Sequence, residues 1–164
     1  MEGEISLAII GGVIFLFALG FSVWIRAEAD EARMQGVQKE IDGQAASARQ
    51  NIQIQTLTRE FKIESELIAE LYSSQIGWGE LTVELAMAQH LAHTDPKTYP
   101  DFIAALKKIG SLRGRRMNWN KIAKNLGFKL GPAISAAEHA RNELRREARA
   151  DQLPVFTKPE TVNI

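Results

Sequence analysis

His90 and His93 stand at i, i+3, and with Asp95 they make a His-x-x-His-x-Asp cluster where a helix is predicted to end. Two histidines on one helix face can hold a divalent metal. No third ligand pattern accompanies them, and His139 is remote in sequence. A histidine beside the open carbonyls of a helix end is the commoner arrangement, so no metal site is assigned. Glu80 and Glu84 lie one turn apart and read as solvated surface of an amphipathic helix. The segment Gly127 to Gly131 lacks both the Lys and the hydroxyl at the places a phosphate-cradling loop requires. The 164-residue chain has no cysteine, which excludes disulfides, thiolate metal sites and cysteine nucleophiles. No nucleophile–His–acid set can be assembled. The sequence therefore predicts no enzyme activity, no catalytic residues and no cofactor.

What concentrates instead is charge. Lys107, Lys108, Arg113, Arg115, Arg116, Lys121, Lys124 and Lys129 fall within Phe102 to Ala137, a stretch without a single Asp or Glu. Such a patch attracts phosphates or an acidic partner, and binding of that kind weakens steeply with salt. The formal net charge of zero conceals this asymmetry.

The elements that must carry the patch emerge when the chain is slid against itself by 41 positions. Phe61 then meets Phe102, Ile68 meets Ile109 and Leu71 meets Leu112. Trp78 meets Trp119, Leu81 meets Ile122 and Leu85 meets Leu126. Two of the three tryptophans coincide in register. The pattern predicts one supersecondary unit used twice, over 61–101 and 102–142. In each unit a helix ends near Leu71 or Leu112, and a second helix starts at the Trp. Gly77 and Asn118 stand where N-caps belong, and the Trp is expected to pack back on the preceding helix. The repeat core is Trp78, Trp119, Leu71, Leu112, Leu85 and Leu126. Asp95 to Pro100 links the units. Pro132 suits the start of a last helix running from Ala133 to about Ala150. The units differ in sign. The first holds two lysines against seven carboxylates, net −5, and the second nine basic residues against Glu138, net +8. Opposite potentials of this kind orient an acidic unit on a basic one, within a chain or between chains.

The run Leu112-x4-Met117-Asn118-Trp119-Asn120-x-Ile122-Ala123-x2-Leu126-Gly127-x3-Gly131 resembles a motif of poorly characterised bacterial helical proteins. Those proteins carry a Gly-Trp-Gly-x-Ile-Ala-x-x-Leu-Gly core, and the likeness covers about residues 67–144. Asn118 and Asn120 replace the glycines in the second copy, while the first keeps Gly77-Trp78-Gly79. The resemblance implies no activity and transfers no site residue. Ile122-Ala123-x3-Gly127 is also similar to a DNA-binding helix-turn-helix, in which Trp119–Gly127 would position and Pro132–Arg149 would read. The turn is long for that, and the reading helix offers Ala, Glu138 and Glu143 where base-reading side chains belong.

Ahead of the units, residues 5–25 form an uncharged apolar run. At ~1.5 Å per residue a helix of that length spans about 30 Å, a bilayer core. The flank before it (1–4) has no Lys or Arg, and Arg26, Arg33 and Lys39 follow it. This predicts a single-pass protein of a bacterial inner membrane, with the lipid bilayer as a partner and the domain on the cytoplasmic side, the periplasm being the alternative. Residues 26–57 read as a polar, mostly helical stalk, because the stripe Met34, Val37, Ile41 fails at Gln44 and Asn51. Within it, 51–58 alternates as a hinge or short extended piece, and Thr58 could cap the next helix. Residues 58–150 form the tandem-repeat domain, and 151–164 a loose tail. The fold expected is thus all-α: a transmembrane helix, a helical stalk, two tandem helix-turn-helix-like units and a C-terminal helix. The function expected is a membrane-anchored adaptor or assembly protein that binds a protein partner or itself. The alternative is a membrane-tethered nucleic-acid-binding protein using the second repeat.

Overall fold

The structure, a computed structural model, describes residues 27–46, 48–73 and 76–152. Their regular elements are all helices: α1 (27–45), α2 (Gln50–Phe61), α3 (Ser65–Ser73), α4 (Trp78–Thr94), α5 (Phe102–Gly114), α6 (Trp119–Asn125) and α7 (Leu130–Gln152). The all-α expectation holds.

The membrane expectation is corrected. Among the described residues no helix is long and apolar enough to cross a membrane. Length and apolarity do not coincide in any of them. α7 has 23 residues but carries eight charged side chains, and the more apolar α4 has only 17. The run 5–25, on which the transmembrane helix, the single-pass inner-membrane location and the bilayer partner all rested, lies outside the described residues.

α4 is the centre of the bundle. Every residue from Leu81 to Ala88 is buried, which is possible only for a helix covered all round. It packs mainly against α5 and α7, and α2 lies across α7 as well. α7 contributes Leu130, Ala133, Ile134, Ala137, Ala140 and Leu144, a stripe at spacings of three and four with small residues that admit close approach. α5 contributes Ala105, Leu106, Ile109 and Leu112 on one face.

The helix boundaries follow local chemistry. Asp101 caps α5 by accepting from the Ala104 amide at 2.7 Å, and Asn118 caps α6 by accepting from the Lys121 amide at 2.9 Å. Three helices end on a left-handed residue: Lys62, Arg116 and Gly127, with φ of 55°, 60° and 76°. At α5 the Met117 amide donates to Leu112 O and the Arg116 amide to Arg113 O. At α6 the Phe128 amide donates to Ala123 O and the Gly127 amide to Lys124 O. Both are Schellman closures, one built on Gly and one on an Arg that pays the left-handed cost.

The segment read as a stalk is part of this bundle. Met34, Val37 and Ile41 are 0%, 3% and 1% exposed and join the core. Residues 51–58, read as a hinge, lie inside α2, whose buried face is Gln53, Thr56, Leu57 and Phe61. Two polar side chains in that face hide the helical period. Thr58 therefore lies within α2 instead of capping a helix, and its hydroxyl is buried with no hydrogen-bond partner among the described residues. The last helix begins three residues before its expected start, so Pro132 sits in its first turn, and it runs through Gln152.

Candidate functional site

The 41-residue register is realised in atoms. Trp78 opens α4 and Trp119 opens α6, each preceded by an extended cap residue, Gly77 (φ −68°, ψ 156°) or Asn118 (φ −74°, ψ 164°). Each Trp is covered by the side chain six residues before it. In the first unit Tyr72 stacks on Trp78 with ring centroids 4.0 Å apart. In the second, Arg113 lies over Trp119 at 4.3 Å, a cation–π contact. Tyr72 and Arg113 are themselves 41 apart. Of the other repeat-core residues, Leu85 and Leu112 are buried, while Leu71 and Leu126 are half-buried. The correspondence stops there, because α4 runs on to Thr94 where α6 ends at Asn125.

α1 holds both units at equivalent points. Asp42 accepts from the Gly79 amide at 2.7 Å, and Glu31 accepts from the Asn120 amide at 2.7 Å. Gly79 and Asn120 are the second residues of their helices and again 41 apart. Glu31 and Asp42 are 11 apart, three helical turns, so both carboxylates sit on one face of α1 about 16 Å from each other. Negative charge at a helix N-terminus satisfies orphan amides and complements the dipole. Gln38, between them, accepts from the Trp119 indole nitrogen at 3.1 Å. Sequence reasoning missed this bracket, although the 11-residue carboxylate spacing was its signal.

Arg113, counted in the basic patch, is occupied. Its guanidinium donates to Glu80 at 2.6 Å and to the Met117 carbonyl at 3.1 Å while covering Trp119. It ties the second unit to the first. Glu84, read as solvated, is instead 6% exposed at the α4–α5 contact, beside Gly110. Burial, reinforced by the Glu80 charge and opposed by Arg113, pushes its carboxyl up to about 7.

The other seven cations stand apart. Lys107, Lys108, Arg115, Arg116, Lys121, Lys124 and Lys129 are all exposed. Among the described residues their side chains make no ion pair and no hydrogen bond. Lys107, Lys108 and Ser111 form one exposed stripe of α5 that Arg115 continues at its end, and Lys121, Lys124 and Asn125 form one of α6. Most arginines elsewhere among the described residues are paired, whereas Arg149 and the lysines Lys39, Lys62 and Lys97 form no ion pair there. Arg33 binds Glu138 at 2.7 Å, Arg141 and Arg145 bind Glu40 at 3.0 and 3.3 Å, and Arg59 binds Glu147 at 3.1 Å. Arg49 meets Asp151 at 3.3 Å and Arg146 meets Glu143 at 2.5 Å.

These pairs bear on the helix-turn-helix likeness. α7, the would-be reading helix, is tied along one side to α1 through Glu138, Arg141 and Arg145, and along the other to α2 through His139 and Glu147. The exposed strip between holds Pro132, Ser135 and Asn142. The free cations belong to α5, α6 and their turns instead.

The remaining candidates are quiet. His90 is half-buried edge-on against Phe128, and its pKa is lowered by burial and by His93. Asp95 accepts from the Thr98 amide at 3.2 Å. No group of three or more His, Cys, Asp or Glu among the described residues is arranged to hold a metal. An open groove bordered by Asp42, Ala45, Tyr72, Ile76 and Trp78 brings in one carboxylate, already bonded to the Gly79 amide. Compared with known proteins, the chain matches no protein-family model, no curated protein and no solved structure.

Proposed function

We propose that this protein is a non-catalytic docking module that binds a partner of high negative charge through the second unit. The observation that carries the reading is the set of seven exposed cations with no anion among the described residues, in a bundle whose other arginines are largely paired. Seven unpaired cations gathered on two neighbouring helices and their turns raise the local concentration of an anionic partner. The first unit cannot answer them in number. Glu80 is taken by Arg113, Glu84 is buried, and Asp101 caps α5. This weighs against pairing of acidic and basic units as the main use of the patch. The likeness to the Gly-Trp-Gly motif proteins brings no activity with it, so the reading rests on the charges.

Retention of the purified chain on immobilised heparin, a generic polyanion, tests this. Wild type is expected to elute at high salt. The variant carrying Lys107→Glu, Lys108→Glu, Lys121→Glu and Lys124→Glu is expected to flow through with an unchanged melting temperature. Co-elution of the two would refute the reading.

A further inference from the structure

Resting on that reading, we propose that the partner is a nucleic-acid duplex, held by its phosphate backbone without base readout. Three features of the surface select it. First, the patch has the wrong composition for a protein interface. Interface cores are rich in aromatic and apolar anchors and poor in lysine. Five of the seven free cations are lysines, and the one large apolar side chain exposed among the described residues is Ile103. A lysine-rich surface with a single apolar side chain, Ile103 one turn before Lys107, suits phosphate arrays, whose contacts are charge-dominated and wet.

Second, the patch lacks a stacking platform. Binding of single strands relies on exposed aromatic faces. Trp78 and Trp119 are buried at 6% and 1% exposure, and their faces are already covered by Tyr72 and Arg113. A duplex keeps its bases stacked on each other and asks only for cations at the right reach. The stripe from Lys107 to Arg115 spans about 12 Å of helix, against which a duplex presents roughly seven phosphate charges.

Third, among the described residues no long helix is open along a whole face bearing base-reading side chains. Major-groove readout needs a helix with an open face bearing Arg, Asn or Gln. α7 is clamped between α1 and α2 by ion pairs, and its flanks carry Glu138, Glu143 and Glu147. The free cations lie on α5, on the short α6 and on the turns that end them, at Arg115, Arg116 and Lys129. Arg116 is held there in a left-handed conformation that the helix closure requires. The geometry therefore serves backbone contact, with sequence-independent affinity.

The test is fluorescence anisotropy of the full chain with labelled 20-base-pair duplexes of two unrelated sequences, a 20-nucleotide single strand, and poly-glutamate as competitor. The two duplexes are expected to bind within about twofold of each other. The logarithm of affinity should fall with log salt at a slope of magnitude about 4 to 6, for five to seven phosphate contacts. The single strand should bind several-fold more weakly, and poly-glutamate should displace duplex poorly. The Lys107→Glu, Lys108→Glu, Lys121→Glu, Lys124→Glu variant should lose duplex binding. Strong preference for one duplex, or displacement by poly-glutamate at equal charge concentration, would overturn the inference. So would absence of duplex binding by a chain that heparin still retains, an outcome that leaves the docking reading standing. Failure on duplex, poly-glutamate and heparin together would remove both.

Discussion

The two units share a skeleton and differ in everything that faces outward. In both, a Trp opens a helix, the side chain six residues earlier covers it, and a carboxylate of α1 holds the amide that follows it. Yet α4 is buried on all sides, while α6 buries only Trp119, Ile122 and Ala123. α4 lies at the centre of the bundle and α6 lies at its edge. An edge unit is free to carry surface charge that a central unit would have to desolvate. That difference accounts for the free cations of α6, while those of α5 lie away from its buried residues Ala105, Ile109 and Leu112. It also explains why the one carboxyl with a strongly raised pKa, Glu84, belongs to the first.

The comparison can be broken most severely at the two equivalent positions after the tryptophans. A Cβ at Gly79 would collide with the Gln38 carbonyl oxygen and crowd Asp42, whereas Asn120 fits and its side-chain amide donates to the Ala27 carbonyl. Gly79→Ala should cost about 3 kcal/mol or more. Asn120→Ala should cost about 1 kcal/mol. Denaturant melts of the two variants check this, and equal losses would mean that α1 does not approach the first unit more closely than the second.

Glu84 gives the next largest effect, and it depends on pH. Its folded pKa of about 7 lies above its ordinary value of 4.5, so the folded state binds more protons between those limits. Stability contributed by the protonated form is present below about pH 4.5, falls as pH rises, and is gone above about pH 7. Glu84→Gln, which stays neutral, should match wild type at pH 4 and exceed it at pH 8 by up to about 3 kcal/mol. A gain that is the same at both pH values would show that the carboxyl is not desolvated.

The α1 bracket comes third. Glu31→Gln and Asp42→Asn each weaken a charged helix cap, and each should cost about 1 kcal/mol. Because the two carboxylates serve different units, the losses should add in the double variant. Marked non-additivity would indicate that the units do not engage α1 independently.

The smallest effect should be a gain. Arg116→Gly relieves the left-handed strain at the end of α5, as Gly127 already does at the end of α6, and should stabilise by about 0.5–1 kcal/mol. The same change removes one free cation, so polyanion binding should weaken while the melting temperature rises. That opposition of stability and binding is what a surface cation without a structural partner produces.

Much of the skeleton was legible because it is written in residues whose local rules are strong. The 41-residue register placed both tryptophans at helix starts, and Gly77, Asn118 and the Asp95–Pro100 link fell where punctuation residues direct. α1 was not legible as core, since Met34, Val37 and Ile41 are a short stripe and its other holds on the bundle are polar. Glu84 was misread because one carboxylate in a helix suggests a wet face. The largely apolar context Leu81-Thr82-Val83-Glu84-Leu85-Ala86-Met87-Ala88 carries the opposite message once helices are known to lie on every side. Of the basic patch, only tertiary structure separates Arg113, which binds the units together, from the seven cations that bind nothing in the bundle.

The most direct test of the account is the salt dependence of heparin-oligosaccharide affinity, measured by calorimetry on wild type and on a Lys107→Gln, Lys108→Gln, Lys121→Gln, Lys124→Gln variant. Wild type should show a steep linear fall of log affinity with log salt. The variant should melt at the same temperature and show a much shallower slope, smaller by roughly one for each cation removed. A flat wild-type slope, or a variant with an unchanged slope, would contradict the claim that the second unit's free cations are its binding surface.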